Sequence, residues 1–146
     1  MTQSEMKHCW QLARENGDYS AVIAAIPYAR TIGMQMAEQA GELRFTLPFA
    51  QSNVGNVLLP ALHGGVIGGF LETAAVLTLL TSAETNAIPK VVDFSIDYLR
   101  SGRPVDLYGR CEIVRQGKRV ANVLMTAWQD DLAKPVASAR AHFLLS

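Results

Sequence analysis

The sequence predicts an α+β domain in which one antiparallel sheet of about six strands curls around one long helix. The first observation behind this fold class is a 19-residue run, Leu62–Leu80, in which most side chains are apolar. A run that is apolar on every side of a helical projection is typical of a helix buried all round. The second observation is a series of segments with alternating polar and apolar residues, separated by turn-forming residues. This pattern is typical of antiparallel strands that bury one face.

The first 28 residues predict a helical segment that flanks a single domain of 146 residues. The first helix is Ser4–Asn16, with Ser4 as its N-cap. A second short helix extends to Ala25, and Pro27 is expected to end the helical pattern because proline removes a hydrogen-bond donor. We expect this segment to be a lid or flank and to lie outside the functional site.

Two strands, Ile32–Ala40 and Glu42–Phe49, form a predicted hairpin around Gly41. The segment Ala50–Ala61 contains asparagine, glycine and proline, so it is expected to be a loop that leads to the long helix.

Four longer strands follow the helix, after a polar connection at Ser82–Ala87. The breaks between them contain glycine, proline and aspartate, which favour turns. In the first of the four, every second residue from Val92 to Tyr98 is apolar, which predicts one buried face. The four predicted strands are Lys90–Arg100, Val105–Arg115, Arg119–Asp130 and Pro135–Leu145.

The long helix contains one ionisable residue, Glu72, and three glycines on the same side. At about 100° per residue, Gly65, Gly68 and Gly69 lie on the Glu72 side and N-terminal to it. Each glycine costs roughly 0.5–1 kcal/mol relative to alanine, so we expect a ligand or another helix to approach this surface closely. An unpaired buried charge is costly, and no basic residue lies within two turns, so Glu72 is a candidate catalytic residue.

The start of the helix is a candidate oxyanion site. The first N–H groups of a helix have no partner within it and lie at the positive end of its dipole, so Gly64 can polarise a carbonyl. Eight residues, about 12 Å along the axis, separate Gly64 from Glu72, which is too far for one glutamate to span. We therefore expect an isologous homodimer whose antiparallel helices bring Glu72 of one copy beside Gly64 of the other. Whether dimers assemble further into a homotetramer is left open.

Charge and cysteine content narrow the expected partners and compartment. Thirteen basic residues balance thirteen acidic ones, which argues against a nucleic acid or an anionic membrane as partner. Cys9 and Cys111 have no metal-ligand spacing and are too few for a disulfide framework, which favours a reducing compartment. No signal peptide is visible, so a cytoplasmic protein is expected. The Leu62–Leu80 run is long enough to span a bilayer, but its central glutamate and missing cationic flanks favour a core helix.

The motif LHGGVIGGFLETAA, followed by VVDFSIDYLRSG and VRQGKR, resembles the hotdog-fold acyl-CoA thioesterases of the phenylacetyl-CoA thioesterase-like group. The resemblance extends from about Ile32 to the end of the chain. Its most specific part is His-Gly-Gly with an acidic residue nine positions after His63. It implies the hotdog fold, an acyl-CoA substrate, no separate cofactor and a site shared between two subunits.

By position, the resemblance assigns three residues to the reaction. It implies that Gly64 supplies the backbone amide that polarises the thioester carbonyl. Glu72 would be the catalytic carboxylate, acting either as a general base on water or as a nucleophile. His63 would order the loop beside the thioester.

A second group of residues is expected to contact the substrate. The resemblance places the basic turn 115–119 near coenzyme A, where its side chains could donate to phosphates. Related thioesterases often carry asparagine or glutamine where this chain has Val57, so Asn56 is the nearest candidate to position the attacking water. Val91 stands where relatives often carry serine or threonine. The expected substrate contacts are Asn56, Gly65, Gly68, Val91, Arg115, Lys118 and Arg119.

The expected reaction is hydrolysis of an acyl-CoA thioester to a carboxylic acid and coenzyme A. The sequence contains no metal-ligand cluster, no phosphate-binding loop with a lysine and no nucleophilic serine motif. Three alternatives remain open: a non-catalytic acyl-CoA-binding or sensing module, a hotdog hydratase or dehydratase, and an assembly partner without turnover. The sequence does not decide the acyl group.

Overall fold

A computed structural model, which describes residues 2–82 and 88–145, shows a six-stranded antiparallel sheet wrapped around one long helix. The predicted α+β class is confirmed. The helices are α1 (Gln3–Asn16), α2 (Ser20–Ala24), α3 (Pro27–Ile32) and α4 (Gly64–Ser82). The strands are β1 (Gln35–Gln39), β2 (Glu42–Leu47), β3 (Val54–Asn56), β4 (Ala61–Leu62), β5 (Lys90–Tyr98), β6 (Leu107–Gln116), β7 (Val120–Trp128) and β8 (Ala137–Leu144). The main sheet has the order β1-β2-β6-β7-β8-β5, while β3 and β4 form a separate pair.

The predicted long helix is α4, and it lies in the hollow of the curved sheet. It is long and apolar enough to cross a membrane, but eight of its residues are buried inside the fold, including Phe70, Leu77 and Leu79. Apolar burial of this kind contributes roughly 25 cal/mol per Å² of surface removed from water. The helix is therefore the centre of the hydrophobic core.

The N-terminal segment differs from its prediction in two ways. The cap of α1 is Thr2, which forms a capping box with Glu5, so the prediction of Ser4 as N-cap was wrong. Pro27 does not end the helical pattern but begins α3. At the first helical position proline loses no hydrogen bond and its fixed φ already suits a helix. Consequently Ile32 ends a helix, and the first strand begins only at Gln35.

The strands lie close to their predicted positions, with one local error in β5. Phe94 and Ile96 face the core as predicted, but Val92 is 59% exposed. The pairing of β5 with β8 shifts register between Val91 and Asp93. Such a bulge adds one residue to the strand and reverses the alternation beyond it.

The predicted loop Ala50–Ala61 contains structure of its own. A single turn of 3₁₀ helix, Gln51–Asn53, precedes the β3–β4 pair. The Asn53 side chain is buried and donates to the Ile32 carbonyl at 2.9 Å, while its backbone carbonyl accepts from the His63 N–H at 2.8 Å. One residue thus links the end of α3 to the start of α4. Of the predicted connection Ser82–Ala87, only Ser82 lies within the described residues, and it ends α4.

Candidate active site

His63 forms the cap of α4 with both its backbone and its side chain. The Gly65 N–H donates to the imidazole Nδ1 at 2.9 Å, which is the bond that an N-cap side chain makes to the second helical residue. The His63 carbonyl accepts from the N–H groups of Val66 and Ile67 at 3.1 and 3.2 Å. The predicted role of His63 in ordering this turn therefore has a direct geometric counterpart.

Capping by His63 leaves one N–H group of the first turn without a partner. The His63 N–H donates to the Asn53 carbonyl, and the amides of Gly65 and Val66 donate to His63. For the Gly64 N–H, residues 2–82 and 88–145 supply no acceptor. A free N–H at the positive end of a 19-residue helix can stabilise negative charge on a carbonyl oxygen.

Tyr98, at the end of β5, fixes the peptide that follows Gly64. Its hydroxyl donates to the Gly64 carbonyl at 2.7 Å, and its ring lies so close that a Cβ at position 64 would be 3.3 Å from two ring carbons. The sequence placed Tyr98 only on a half-buried face. Its contact with the helix start joins residues 34 positions apart, so no local pattern could have revealed it.

Glu72 lies eight residues into α4 and is half-buried. Its carboxylate has no hydrogen bond and no ion pair with the described part of the chain. Glu72 acts electrostatically on Tyr28: burial raises the pKa of the Tyr28 phenol, and the negative charge of Glu72 raises that pKa further. No internal cation neutralises Glu72 within residues 2–82 and 88–145, so its charge is available for chemistry.

Tyr28 reaches this position by lying across Gly69. A Cβ at position 69 would lie 2.7 and 2.8 Å from Tyr28 Cε1 and Cζ, closer than any real contact, so only glycine fits under the ring. Tyr28 belongs to α3, in the N-terminal segment that was expected to lie outside the site. Tyr28 nevertheless lies beside Glu72, because α3 begins where the sequence indicated a helix stop.

The other two glycines are also covered by side chains of the same chain. A Cβ at Gly65 would be 2.8 Å from the His63 imidazole. Gly68 is buried, with Tyr98, Phe94 and Ile96 at 3.7–4.0 Å from a Cβ placed there. The predicted close approach therefore exists, but within one chain the approaching groups are an imidazole and aromatic or aliphatic side chains of its own.

Of the remaining predicted substrate contacts, Asn56 lies near the start of α4, since it pairs with Ala61, two residues before His63, while the others lie far from Gly64. Asn56 is exposed, and its Oδ1 accepts from the N–H groups of Leu58 and Leu59 in a turn. The basic residues lie towards the opposite end of α4, because β6 runs that way: Gly109 lies against Phe70 and Leu71, and Cys111 lines a pocket with Thr78 and Thr81. Val91 lies at the same end, because it stands at the start of β5, whose last residue, Tyr98, contacts Gly64. The exposed residues at that end are Val91, Arg115, Lys118 and Arg119. Within a single chain, the predicted site is divided between the two ends of one helix.

The described residues contain no group of three or more His, Cys, Asp or Glu side chains that could hold a metal ion. Within the described residues, the groups without a partner that the structure offers for chemistry are the Gly64 amide, the Glu72 carboxylate and the Tyr28 phenol. An amide that stabilises an oxyanion and a carboxylate that activates water are together sufficient for acyl transfer to water.

Comparison with known proteins identifies the family. Residues 59–136, more than half of the chain, match the model of the thioesterase superfamily. A medium/long-chain acyl-CoA thioesterase of Escherichia coli, YigI, is 29% identical over 140 residues, covering 82% of this chain and 86% of YigI.

Solved structures share the fold. A crystal structure of a protein from Chromobacterium violaceum is 54% identical, with a TM-score of 0.76, covering 92% of this chain and 93% of that one. A Bacillus halodurans protein crystallised with CoA is 21% identical, with a TM-score of 0.71 and coverage of 99% and 91%. The chain belongs to the thioesterase superfamily, and it is a thioester hydrolase.

Proposed function

We propose that this chain hydrolyses medium- or long-chain acyl-CoA thioesters at a site shared between two copies. The observation that carries the proposal is that one helix holds both the Gly64 amide and the Glu72 carboxylate, neither of which has a partner among the described residues. They are about 12 Å apart along the axis, so they act on one thioester only if each comes from a different copy. Gly64 of one copy polarises the carbonyl, and Glu72 of the other takes the proton of the attacking water.

Exposed apolar surface supports a dimer around this helix. β5 is an edge strand of the sheet and exposes Val91 and Val92. Leu99, directly after the strand, is also exposed, and Leu58 in the loop before α4 is 92% exposed. A long apolar edge strand is a site for pairing with another chain. A two-fold axis midway between Gly64 and Glu72 passes α4 at the level of Gly68. At this level Gly68 is covered by Phe94 and Ile96, which lie in the middle of β5. Pairing β5 with its copy is therefore compatible with antiparallel α4 helices side by side.

The basic turn is proposed to meet the phosphates of coenzyme A. In the shared site, α4 of the copy that supplies Glu72 continues for ten residues to Ser82, about 15 Å beyond the reacting carbonyl. Arg115, Lys118 and Arg119 lie exposed towards that end. The phosphates of coenzyme A are separated from the thioester by a long flexible arm, so a distant cluster of charge-assisted donors suits them.

The acyl specificity is proposed from the relationship to YigI, whose name states medium/long-chain acyl-CoA. A series of acyl-CoA esters of increasing chain length, with release of the free thiol as the signal, measures it. We expect kcat/KM to be highest for medium or long chains. Binding of the same esters without thiol release would instead support the acyl-CoA-binding module.

The shared site is tested with two variants that remove one partner each. Glu72→Gln removes the base, and we expect turnover to fall about 10²–10⁴-fold. Gly64→Pro removes the N–H and adds a ring that is tolerated at the first helical position, and we expect a loss of about 10²–10³-fold. Gly64→Ala is the matched control: it makes the same 3.3 Å contact with Tyr98 but keeps the N–H.

Mixing the two inactive chains distinguishes a shared site from a site within one chain. A heterodimer of the Glu72→Gln and Gly64→Pro chains contains one site with both lesions and one site with neither. Random assembly should therefore restore about a quarter of the wild-type turnover. A mixture that stays inactive while heterodimers form rejects the shared site, and Glu72→Gln with full turnover rejects the assignment of the base.

A further inference from the structure

Tyr28 is a polar group beside Glu72 that neither the family motif nor the proposed mechanism uses. Its side chain is 42% exposed, and its hydroxyl forms no hydrogen bond with residues 2–82 or 88–145. The ring is held across Gly69, where its atoms leave no room for a Cβ. The phenol is thus fixed in place while its donor remains free.

The position of the ring relative to Glu72 follows from the helix. Gly69 and Glu72 are three residues apart, so they are neighbours on one face of α4. The two side chains do not hydrogen-bond each other, yet the charge of Glu72 acts on Tyr28. A polar atom placed between them can accept from the hydroxyl and donate to the carboxylate.

We infer that Tyr28 is a further catalytic residue, whose hydroxyl donates a hydrogen bond to the water that Glu72 deprotonates. This inference rests on the proposed function. The oxygen of a water molecule carries two lone pairs. A bond accepted from Tyr28 occupies one lone pair, and a proton directed at Glu72 fixes the orientation, so the other lone pair faces the carbonyl carbon. The water proton goes to Glu72, the C–O bond forms, the C–S bond breaks and the thiolate takes up the proton.

The phenol is suited to this role because it remains a donor. Burial and the charge of Glu72 both raise the pKa of Tyr28 above that of an ordinary phenol, so the hydroxyl stays protonated at neutral pH. Glycine at position 69 then has a purpose beyond the helix: it lets the hydroxyl approach to within one turn of the base.

The test is Tyr28→Phe in the full-length protein, assayed on a medium-chain acyl-CoA. Phenylalanine keeps the ring on Gly69 and removes only the hydroxyl. We expect kcat to fall about 10- to 100-fold, the range in which a misplaced reactant slows a reaction, while KM changes less than about 3-fold, since the ring surface that faces the substrate is kept. The control is Tyr108→Phe on β6, another exposed phenol, whose ring lies 6.1 Å from that of Trp128; its kcat should equal that of the wild type.

A double-mutant cycle separates this role from mere packing. Gly69→Ala displaces the ring, and alone it should lower kcat about as much as Tyr28→Phe. In the Tyr28→Phe background it should have little further effect, because the hydroxyl is already gone. If the ring only packs, Tyr28→Phe keeps the wild-type kcat and Gly69→Ala acts equally in both backgrounds.

Glu72→Gln, assayed in parallel, separates failure of this inference from failure of the proposed function. If Glu72→Gln is inactive and Tyr28→Phe keeps kcat within about 2-fold, only the role of Tyr28 is rejected. If Glu72→Gln keeps full turnover, the proposed function falls and the role of Tyr28 falls with it.

Discussion

The two halves of α4 differ in their polar groups and in their packing. The N-terminal half, Gly64–Glu72, has four glycines, an unpaired amide and an unpaired carboxylate. In the C-terminal half, Thr73–Ser82, the hydroxyl of Thr78 donates back to the Ala74 carbonyl at 2.8 Å, and the side chains of Leu77 and Leu79 are fully buried. The amide and the carboxylate that have no partner among the described residues both lie in the N-terminal half. We infer that this half supplies the reactive groups in addition to packing Phe70 and Leu71 in the core, whereas the C-terminal half contributes packing.

The largest expected effect is on stability, in the C-terminal half. Leu77 is fully buried, so Leu77→Ala removes buried apolar atoms and leaves a cavity. We expect the free energy of unfolding to fall by about 2–5 kcal/mol, measured by urea denaturation at one fixed protein concentration, because a dimer gains stability with concentration.

Two controls test whether this loss of stability depends on which half of α4 is changed. Leu77→Met conserves volume and should cost less than about 1.5 kcal/mol. Glu72→Gln, in the N-terminal half, should change the free energy of unfolding by less than about 1 kcal/mol although turnover is lost. If Glu72→Gln destabilises the fold as much as Leu77→Ala does, the two halves are not functionally distinct.

A smaller effect is expected at the border between the helix start and β5. Tyr98→Phe removes the hydrogen bond to the Gly64 carbonyl. An intramolecular hydrogen bond contributes about 0.5–1.5 kcal/mol, so we expect the free energy of unfolding to fall by that amount. Tyr108→Phe, which lacks such a bond in the described chain, should leave stability unchanged. Equal stability of the two variants would show that Tyr98 does not hold the helix start.

The smallest effect is expected to be an increase in stability. A Cβ at Gly68 would meet its nearest neighbour, the Tyr98 hydroxyl, at 3.7 Å, an ordinary contact. Gly68→Ala should therefore raise the free energy of unfolding by roughly 0.5–1 kcal/mol, the helical advantage of alanine. Thermal unfolding of the Gly68→Ala protein beside the wild type measures the change. A loss of stability would mean that β5 lies tighter on α4 than these distances indicate.

Much of the fold could be predicted because its signals are local. Turn residues mark the ends of β6, β7 and β8, and continuous apolar composition marks α4. Two errors occurred where the local sequence is compatible with two different backbone structures. Proline occurs both after the end of helices and at their first position, and only the packing of α3 determines that Pro27 starts a helix here. The bulge at Val92 leaves the alternation of the sequence unbroken while it changes the pairing.

The candidate site was predictable only where a helix alone defines it. Positions along α4 account for three features of the described chain: the Gly64 N–H has no acceptor, His63 caps the helix, and no basic residue pairs with Glu72. Tyr28 and Tyr98 could not be found in this way. Each reaches α4 from a different element, α3 or β5, and the contact depends on how the whole chain folds.

Asn53 has a consequence for how such an enzyme can diversify. Its side-chain amide donates to the last carbonyl of α3, and its own carbonyl accepts from the residue that caps α4, so it links the helix that carries the phenol to the helix that carries the oxyanion amide. Insertions within the exposed tip Val57–Pro60 can therefore reshape the rim for new acyl groups. A replacement at position 53 would remove the side-chain bond to α3, so it is expected to change the spacing of the two reactive elements, which a replacement in the exposed tip would not do.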